Sequence, residues 1–169
     1  MEGYSTATGA AGTRTVEVGI AEYAVTDDGA ELSTHGLGSC VAVVLLEPTA
    51  AVCGLAHVML PSAETAEGDD PGKFANTAVR AMLAEMEELG ADPSKVVAKT
   101  AGGSEMFEFT GIAEGVGERN VGAVRRELAG RDIPLQGEDV GGDHGRTVRV
   151  DGETGRVVLE TADDGRVEL

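Results

Sequence analysis

Residues 34–61 read Thr34-His35-Gly36-Leu37-Gly38-Ser39-Cys40-Val41-Ala42-Val43-Val44-Leu45-Leu46-Glu47-Pro48-Thr49-Ala50-Ala51-Val52-Cys53-Gly54-Leu55-Ala56-His57-Val58-Met59-Leu60-Pro61. Two apolar, β-rich runs, 41–46 and 52–60, flank Glu47-Pro48-Thr49. Runs of this length with a turn signal between them predict a buried β-hairpin. A glycine-rich turn delivers Cys40 to the first strand, and His57 lies on the second. A thiol is a useful nucleophile only when a base or a local field makes it a thiolate. Neighbouring strands can bring a Cys and a His together, so the stretch suggests cysteine-based acyl transfer.

The rest of the chain is organised around that hairpin. Residues 1–13 are rich in Gly, Ala, Ser and Thr and are expected to be disordered, leaving 14–169 as a single domain. Residues 15–25 alternate, with Val16, Val18 and Ile20 on one face, which predicts a strand. Residues 61–73 are polar and acidic with two prolines, and read as a loop over the site. Residues 74–89 carry Val79, Met82, Leu83, Met86 and Leu89 at helical spacing, with Gly90 as a natural stop. A short strand at 96–101 ends at Gly102-Gly103. A second helix is predicted over 118–129, with Val121, Val124 and Leu128 inward. Short strands follow near 133–135, 147–150 and 157–160. Strands outnumber helices and come mainly as hairpins. The predicted class is therefore α+β, with mixed or antiparallel sheets layered with helices.

Composition narrows the function. A length of 169 residues suits one domain with a real core. No apolar run approaches the ~20 residues that span a bilayer, and no basic-then-apolar leader opens the chain. A cytoplasmic protein without membrane insertion is the expectation. The net charge of −17 repels polyphosphates, so nucleic acid is not an expected partner. Lys73, Lys95 and Lys99 are the lysines, and the other basic residues are arginines. An acidic chain poor in lysine and aromatics fits work in concentrated salt, where the Debye length falls to about 3 Å. An ordinary acidic cytosolic protein is the plainer reading.

Gly36 and Gly38 permit positive φ and a close approach of backbone to ligand. Backbone N–H groups around Gly38, Ser39 and Cys40 are then candidates for an oxyanion site. His57 is the candidate base for Cys40, and the Thr34 hydroxyl is a candidate to accept from the imidazole and orient it. On these residues alone, Cys40 and His57 also read as a small hydrophobe and a satisfied core histidine. Cys53 reads as core. His35, Cys40, Cys53 and His57 match no usual zinc spacing, so neither metal nor cofactor is expected. The glycine pattern lacks the features of a dinucleotide or phosphate loop. The stretch from Gly141 to Arg146 reads as a turn.

The chain resembles the chemoreceptor glutamine deamidase family, CheD. The resemblance rests on Thr34, on Leu37-Gly38-Ser39-Cys40-Val41, and on Gly54-Leu55-Ala56-His57-Val58-Met59-Leu60-Pro61. Further blocks follow in order: Gly72-Lys73-Phe74-Ala75, Lys99-Thr100-Ala101-Gly102-Gly103-Ser104-Glu105-Met106-Phe107, Gly117-Glu118-Arg119-Asn120-Val121, Glu138-Asp139-Val140-Gly141-Gly142, and Gly145-Arg146. The resemblance implies Cys40 as nucleophile, His57 as general base and acid, and Thr34 as the residue that positions His57. It implies a fold like the cytotoxic-necrotizing-factor deamidases. The implied substrate is a glutamine side chain on the helical cytoplasmic domain of a chemoreceptor, converted to glutamate with release of ammonia in chemotaxis adaptation. The implied second partner is the phosphatase CheC, with Phe107 as candidate contact. The competing readings are a non-enzymatic adaptor that regulates CheC, and a cysteine amidase acting on another substrate.

Overall fold

The computed structural model describes residues 4–7, 14–62, 70–105, 115–161 and 165–169. Its strands are β1 (Tyr4–Ala7), β2 (Arg14–Glu17), β3 (Tyr23–Thr26), β4 (Glu31–Leu37), β5 (Val41–Glu47), β6 (Val52–Val58), β7 (Val97–Gly102), β8 (Leu135–Val140), β9 (Arg146–Asp151), β10 (Val157–Thr161) and β11 (Gly165–Glu168). Two helices, α1 (Ala75–Glu88) and α2 (Val116–Gly130), accompany them. Among the described residues the strands form a six-stranded sheet, β1-β2-β4-β9-β10-β11, and a five-stranded sheet, β3-β6-β5-β7-β8. Most pairs are antiparallel, while β2–β4 and β7–β8 are parallel. The class is α+β with mixed sheets, as the residue pattern predicts.

The predicted hairpin is β5–β6, with Val41 opposite Val58 and Glu47 opposite Val52. Every residue of both strands is buried. The reason is the layering. Val41, Val43, Leu45, Ala56 and Val58 pack with the inward faces of the helices. The alternate residues Ala42, Val44, Leu46 and Leu55 pack with Leu32 and Val148 of the six-stranded sheet. The hairpin is thus the middle of three layers, and period-two alternation sends each strand's side chains into two cores.

The helices follow the sequence pattern. Val79, Met82 and Met86 of α1 are buried, as are Val121, Val124 and Leu128 of α2. Leu89, expected inward, caps α1 and is exposed, and Gly90 follows at φ +101°.

Residues 15–25 are not one strand. The chain leaves the six-stranded sheet after Val18, turns at Gly19–Glu22, and enters the other sheet as β3. Ala21 takes φ +69°, and the Glu22 carboxylate accepts from Gly19 N–H at 2.9 Å. Ile20 consequently points outward, 60 % exposed, although its spacing predicts the core. Strand β4, which carries Thr34, was not expected; its Ser-Thr-His-Gly centre lacks the apolar alternation that marks a strand. Likewise β8 starts at Leu135, and the buried Ile133 precedes it rather than opening it. Tyr4–Ala7 pairs antiparallel with β2, inside the segment expected to be disordered. Within the expected loop at 61–73, Pro71–Lys73 forms a 3-10 turn whose Lys73 carbonyl accepts from Met59 and Leu60 N–H.

Arg146 ties the C-terminal half to this frame. Its guanidinium is buried, donating to Asp139 Oδ1 at 3.0 Å and to the Gly141 carbonyl at 2.9 Å. It also reaches the Gly102 carbonyl at 3.4 Å. Arg146→Ala removes the donors to the Gly141 carbonyl and the Asp139 carboxylate, while the Gly102 carbonyl keeps its bond from Gly141 N–H. The expected cost is about 2–4 kcal/mol, with the ionic part weakened because Asp139 is partly exposed. Urea unfolding of the variant against the wild type measures it, and a change under 1 kcal/mol would contradict this role.

Candidate active site

Thr34 and His57 come from strands of two different sheets, and Cys40 from the turn that opens a third strand, β5. His57 lies on β6 directly opposite Ala42 of β5. Its neighbours Ala56 and Val58 face the helices, so His57 faces the six-stranded sheet. Cys40 immediately precedes β5 and packs on the same side, making it the diagonal neighbour of His57. Diagonal pairs stand about 7–8 Å apart at their backbones, within reach of a ring and a thiol. No hydrogen bond joins Cys40 Sγ to His57, and His57 Nε2 is buried without a partner among the described residues.

Thr34 approaches from β4, across the gap between the sheets. Its Oγ1 lies 2.7 Å from His57 Nδ1 and 2.7 Å from the Val18 carbonyl. A hydroxyl has one proton. The Val18 carbonyl can only accept, so the hydroxyl donates there and accepts from Nδ1–H. This arrangement puts the imidazole proton on Nδ1 and leaves Nε2 as a bare lone pair.

Burial controls the charges. It holds His57 down to about pKa 4, and it pushes the Cys40 thiol up. The resting pair at neutral pH is therefore a neutral thiol beside a neutral base. Cys53 is a different case: it is buried, and burial together with the Asp151 charge pushes its thiol up to about 11. It is core, as its position in the hairpin predicts.

The turn that carries Cys40 is held by its carbonyls. The Gly38 carbonyl accepts from Ser104 N–H at 2.8 Å, and the Cys40 carbonyl accepts from Gly103 N–H at 2.8 Å. The Ser39 carbonyl accepts from Asn120 Nδ2 at 2.9 Å. The bulge between Thr34 and Leu37, with Gly36 at φ +72°, aims the chain from β4 into this turn. Gly38 does not take positive φ, contrary to expectation; it contributes its carbonyl instead.

Gly102 and Gly103 make the close contact possible. A Cβ on Gly102 would strike the Cys40 carbonyl, and one on Gly103 would strike Val121 of α2. Both also take positive φ. Glu105 then accepts from Gly115 and Glu118 N–H, capping α2 with a carboxylate. The block around Asn120 was visible as a motif in the sequence, but spacing gave Asn120 no role. Phe107 lies outside the described residues. His35 is exposed and pairs with Glu17 at 3.1 Å, away from His57.

The CheD family model, described as CheD chemotactic sensory transduction, matches residues 59–161. The chain is 42% identical over 154 residues to the probable chemoreceptor glutamine deamidase CheD of Haloarcula marismortui, covering 91% of this chain and 89% of that one. It is 43% identical over 148 residues to the chemoreceptor glutamine deamidase CheD of Thermotoga maritima, covering 88% and 92%. Among solved structures, the Bacillus licheniformis hypothetical protein YfiH aligns with TM-score 0.45 and 16% identity over 69% of this chain and 49% of that one, a likeness too partial to bear on function. The family match spans more than half of the sequence and the relatives match almost end to end, so this chain belongs to the CheD family.

Proposed function

We propose that the protein deamidates glutamine side chains of chemoreceptors to glutamate, with Cys40 as nucleophile, His57 as base and acid, and Thr34 as the residue that orients His57. The observation that carries the assignment is the shared hydroxyl of Thr34. By giving its proton to Val18 and accepting from Nδ1, it presents Nε2 in the form a general base needs.

The reaction runs through a thioester. Cys40 Sγ gives its proton to His57 Nε2 as sulfur bonds to the carboxamide carbon, and the carbonyl oxygen becomes an oxyanion. His57 returns the proton to nitrogen, the C–N bond breaks, and ammonia leaves. Water then gives a proton to Nε2 and attacks the thioester; the C–S bond breaks, glutamate is released, and Cys40 regains its proton. Because the resting pair is neutral, proton transfer accompanies attack instead of preceding it. Backbone N–H groups of the 38–40 turn serve the oxyanion.

The substrate follows from the family. Relatives are named for chemoreceptor glutamines, and each deamidation would add one negative charge to the receptor. We assign the phosphatase CheC as a second partner on the same family ground, with Phe107 as its contact. Residues 14–169 act as one deamidase domain, supported by the central sheet that both cores share. No helix among the described residues is long and apolar enough to cross a membrane, and a cytoplasmic location suits a receptor's cytoplasmic domain as substrate.

Ammonia release from a folded receptor cytoplasmic fragment, compared with free glutamine, tests the proposal. Release from the fragment alone is expected. Equal release from free glutamine would favour a general amidase. No release from any receptor fragment would leave the adaptor reading.

Two further outcomes are expected. Thr34→Val removes the hydroxyl at constant shape. It should lower kcat about 10²-fold with KM unchanged, since the imidazole loses its fixed tautomer. Thr34→Ser should restore most of the rate, and a Thr34→Val enzyme with wild-type kcat would contradict the orienting role. Turnover on an acidic receptor surface should also rise with salt, because salt screens its repulsion from a chain of net charge −17. Equal turnover in dilute and molar salt, with the fold intact in both, would count against this.

A further inference from the structure

Asn120 occupies a position that the thioester chemistry does not assign. It sits in the N-terminal half of α2 and is fully buried. Its Nδ2 donates to two carbonyls, Ser39 and Met59, both at 2.9 Å. Ser39 is the residue before the nucleophile. Met59 is two residues beyond His57. One amide group thus bridges the turn that carries the thiol to the strand that carries the base.

The other contacts on the turn make this bridge decisive. Three consecutive carbonyls, Gly38, Ser39 and Cys40, are all engaged, by Ser104 N–H, Asn120 Nδ2 and Gly103 N–H. Two of the three partners are backbone groups; Asn120 supplies the side chain. Fixing the Ser39 carbonyl fixes the plane of the Ser39–Cys40 peptide. That peptide is trans, so the Cys40 N–H points away from Asn120. Among the described residues no carbonyl is paired with the Cys40 N–H. This is the donor an oxyanion on Cys40 would meet.

We propose that Asn120 is a positioning residue for the deamidation: it sets the register between Cys40 and His57 and aims the Cys40 N–H at the oxyanion. Asn120 touches neither the substrate nor the reacting atoms. The proposal rests on the Cys40–His57 reading, so its test includes a readout independent of turnover. That readout is the pH dependence of iodoacetamide alkylation at Cys40, located by mass spectrometry. In the wild type the rate should rise near pH 4 as His57 loses its proton, level off, and rise again as the thiol ionises. A His57→Ala variant should lack the plateau.

Asn120→Ala and the isosteric Asn120→Asp are compared with these references. Both remove the double donor, and the second keeps the shape. The expected result is loss of the plateau in both, with kcat on a receptor fragment down about 10²-fold and KM unchanged, since misplacement of reacting groups by an ångström costs about that much. Folding is checked by thermal unfolding and circular dichroism. Folded variants that keep the plateau and stay within about twofold of wild-type kcat would overturn the proposal. Failure of both variants to fold would also overturn it, making Asn120 a folding residue only. A wild type that deamidates nothing but shows the plateau, lost in both variants, would sink the functional reading and leave the positioning role standing.

Discussion

Cys40→Ala is expected to abolish glutamine deamidation, with kcat/KM reduced by about 10⁴-fold or more and the fold unchanged. The size of the effect follows from the chemistry. Without the thiol no thioester forms, and hydrolysis of an amide by water is left to the residual contribution of the oxyanion site and substrate binding. The fold survives because Cys40 is only partly buried and makes no hydrogen bond through its sulfur among the described residues, and because its backbone carbonyl contact with Gly103 is kept. Thermal unfolding should therefore move little. Cys53→Ala is the control. That thiol is buried against the Gly152 carbonyl and held in its neutral form, so its loss should cost stability and leave kcat intact. A Cys40→Ala enzyme with measurable thioester-dependent turnover, or a Cys53→Ala enzyme without any, would exchange the roles of the two cysteines.

His57→Ala is expected to lower kcat by about 10²–10⁴-fold, the usual contribution of a general base. The pH profile is the sharper test. The histidine is held down to about pKa 4 by burial, so the acid limb of kcat/KM for the wild type should fall near pH 4 and not near 6.5. The same burial has a stability consequence. The unfolded histidine binds its proton near pH 6.5 and the folded one only near pH 4. Between those values the unfolded state holds more protons, so stability declines as pH falls from 6.5 to 4. The histidine's share of the decline is about 3 kcal/mol and levels off below pH 4; Glu47, held down to about pKa 2 by the Thr49 hydroxyl, adds its own loss from the acid end of the window downward. His57→Gln should remove the histidine's share of this decline and leave the carboxylate share that Glu47 contributes at the acid end. A limb and a stability loss both centred at 6.5 would show an imidazole open to solvent, contrary to its position between the sheets.

How far the sequence carried this reading differs from element to element. The hairpin was legible because two apolar runs flank a Pro-containing turn, and burial on both faces leaves no polar alternation to confuse the pattern. Both helices were legible from periodicity and from glycine stops. Strand β4 was not, because its Ser33-Thr34-His35-Gly36 centre is polar and lacks apolar alternation. Thr34 is buried by its contact with His57 and Val18, and no hydropathy pattern records that. The break between β2 and β3 was hidden as well, since Ile20 continues an apolar alternation that the positive φ of Ala21 interrupts. Cys40 and His57 stood out through residue type and the glycine turn. Asn120, Ser104 and Arg146 lie far along the chain from Cys40. Their contacts with its turn, or with the Gly102-Gly103 bend beside it, arise from packing, so spacing could not assign them.

Mass spectrometry of a receptor cytoplasmic fragment, incubated in molar salt with wild-type protein or with Cys40→Ala, decides whether Cys40 deamidates glutamine. Cys40-dependent deamidation requires a gain of about 1 Da, the exchange of NH₂ for OH, at particular glutamines with the wild type only. The same gain with Cys40→Ala, or no gain from folded wild type on any receptor fragment, would contradict it.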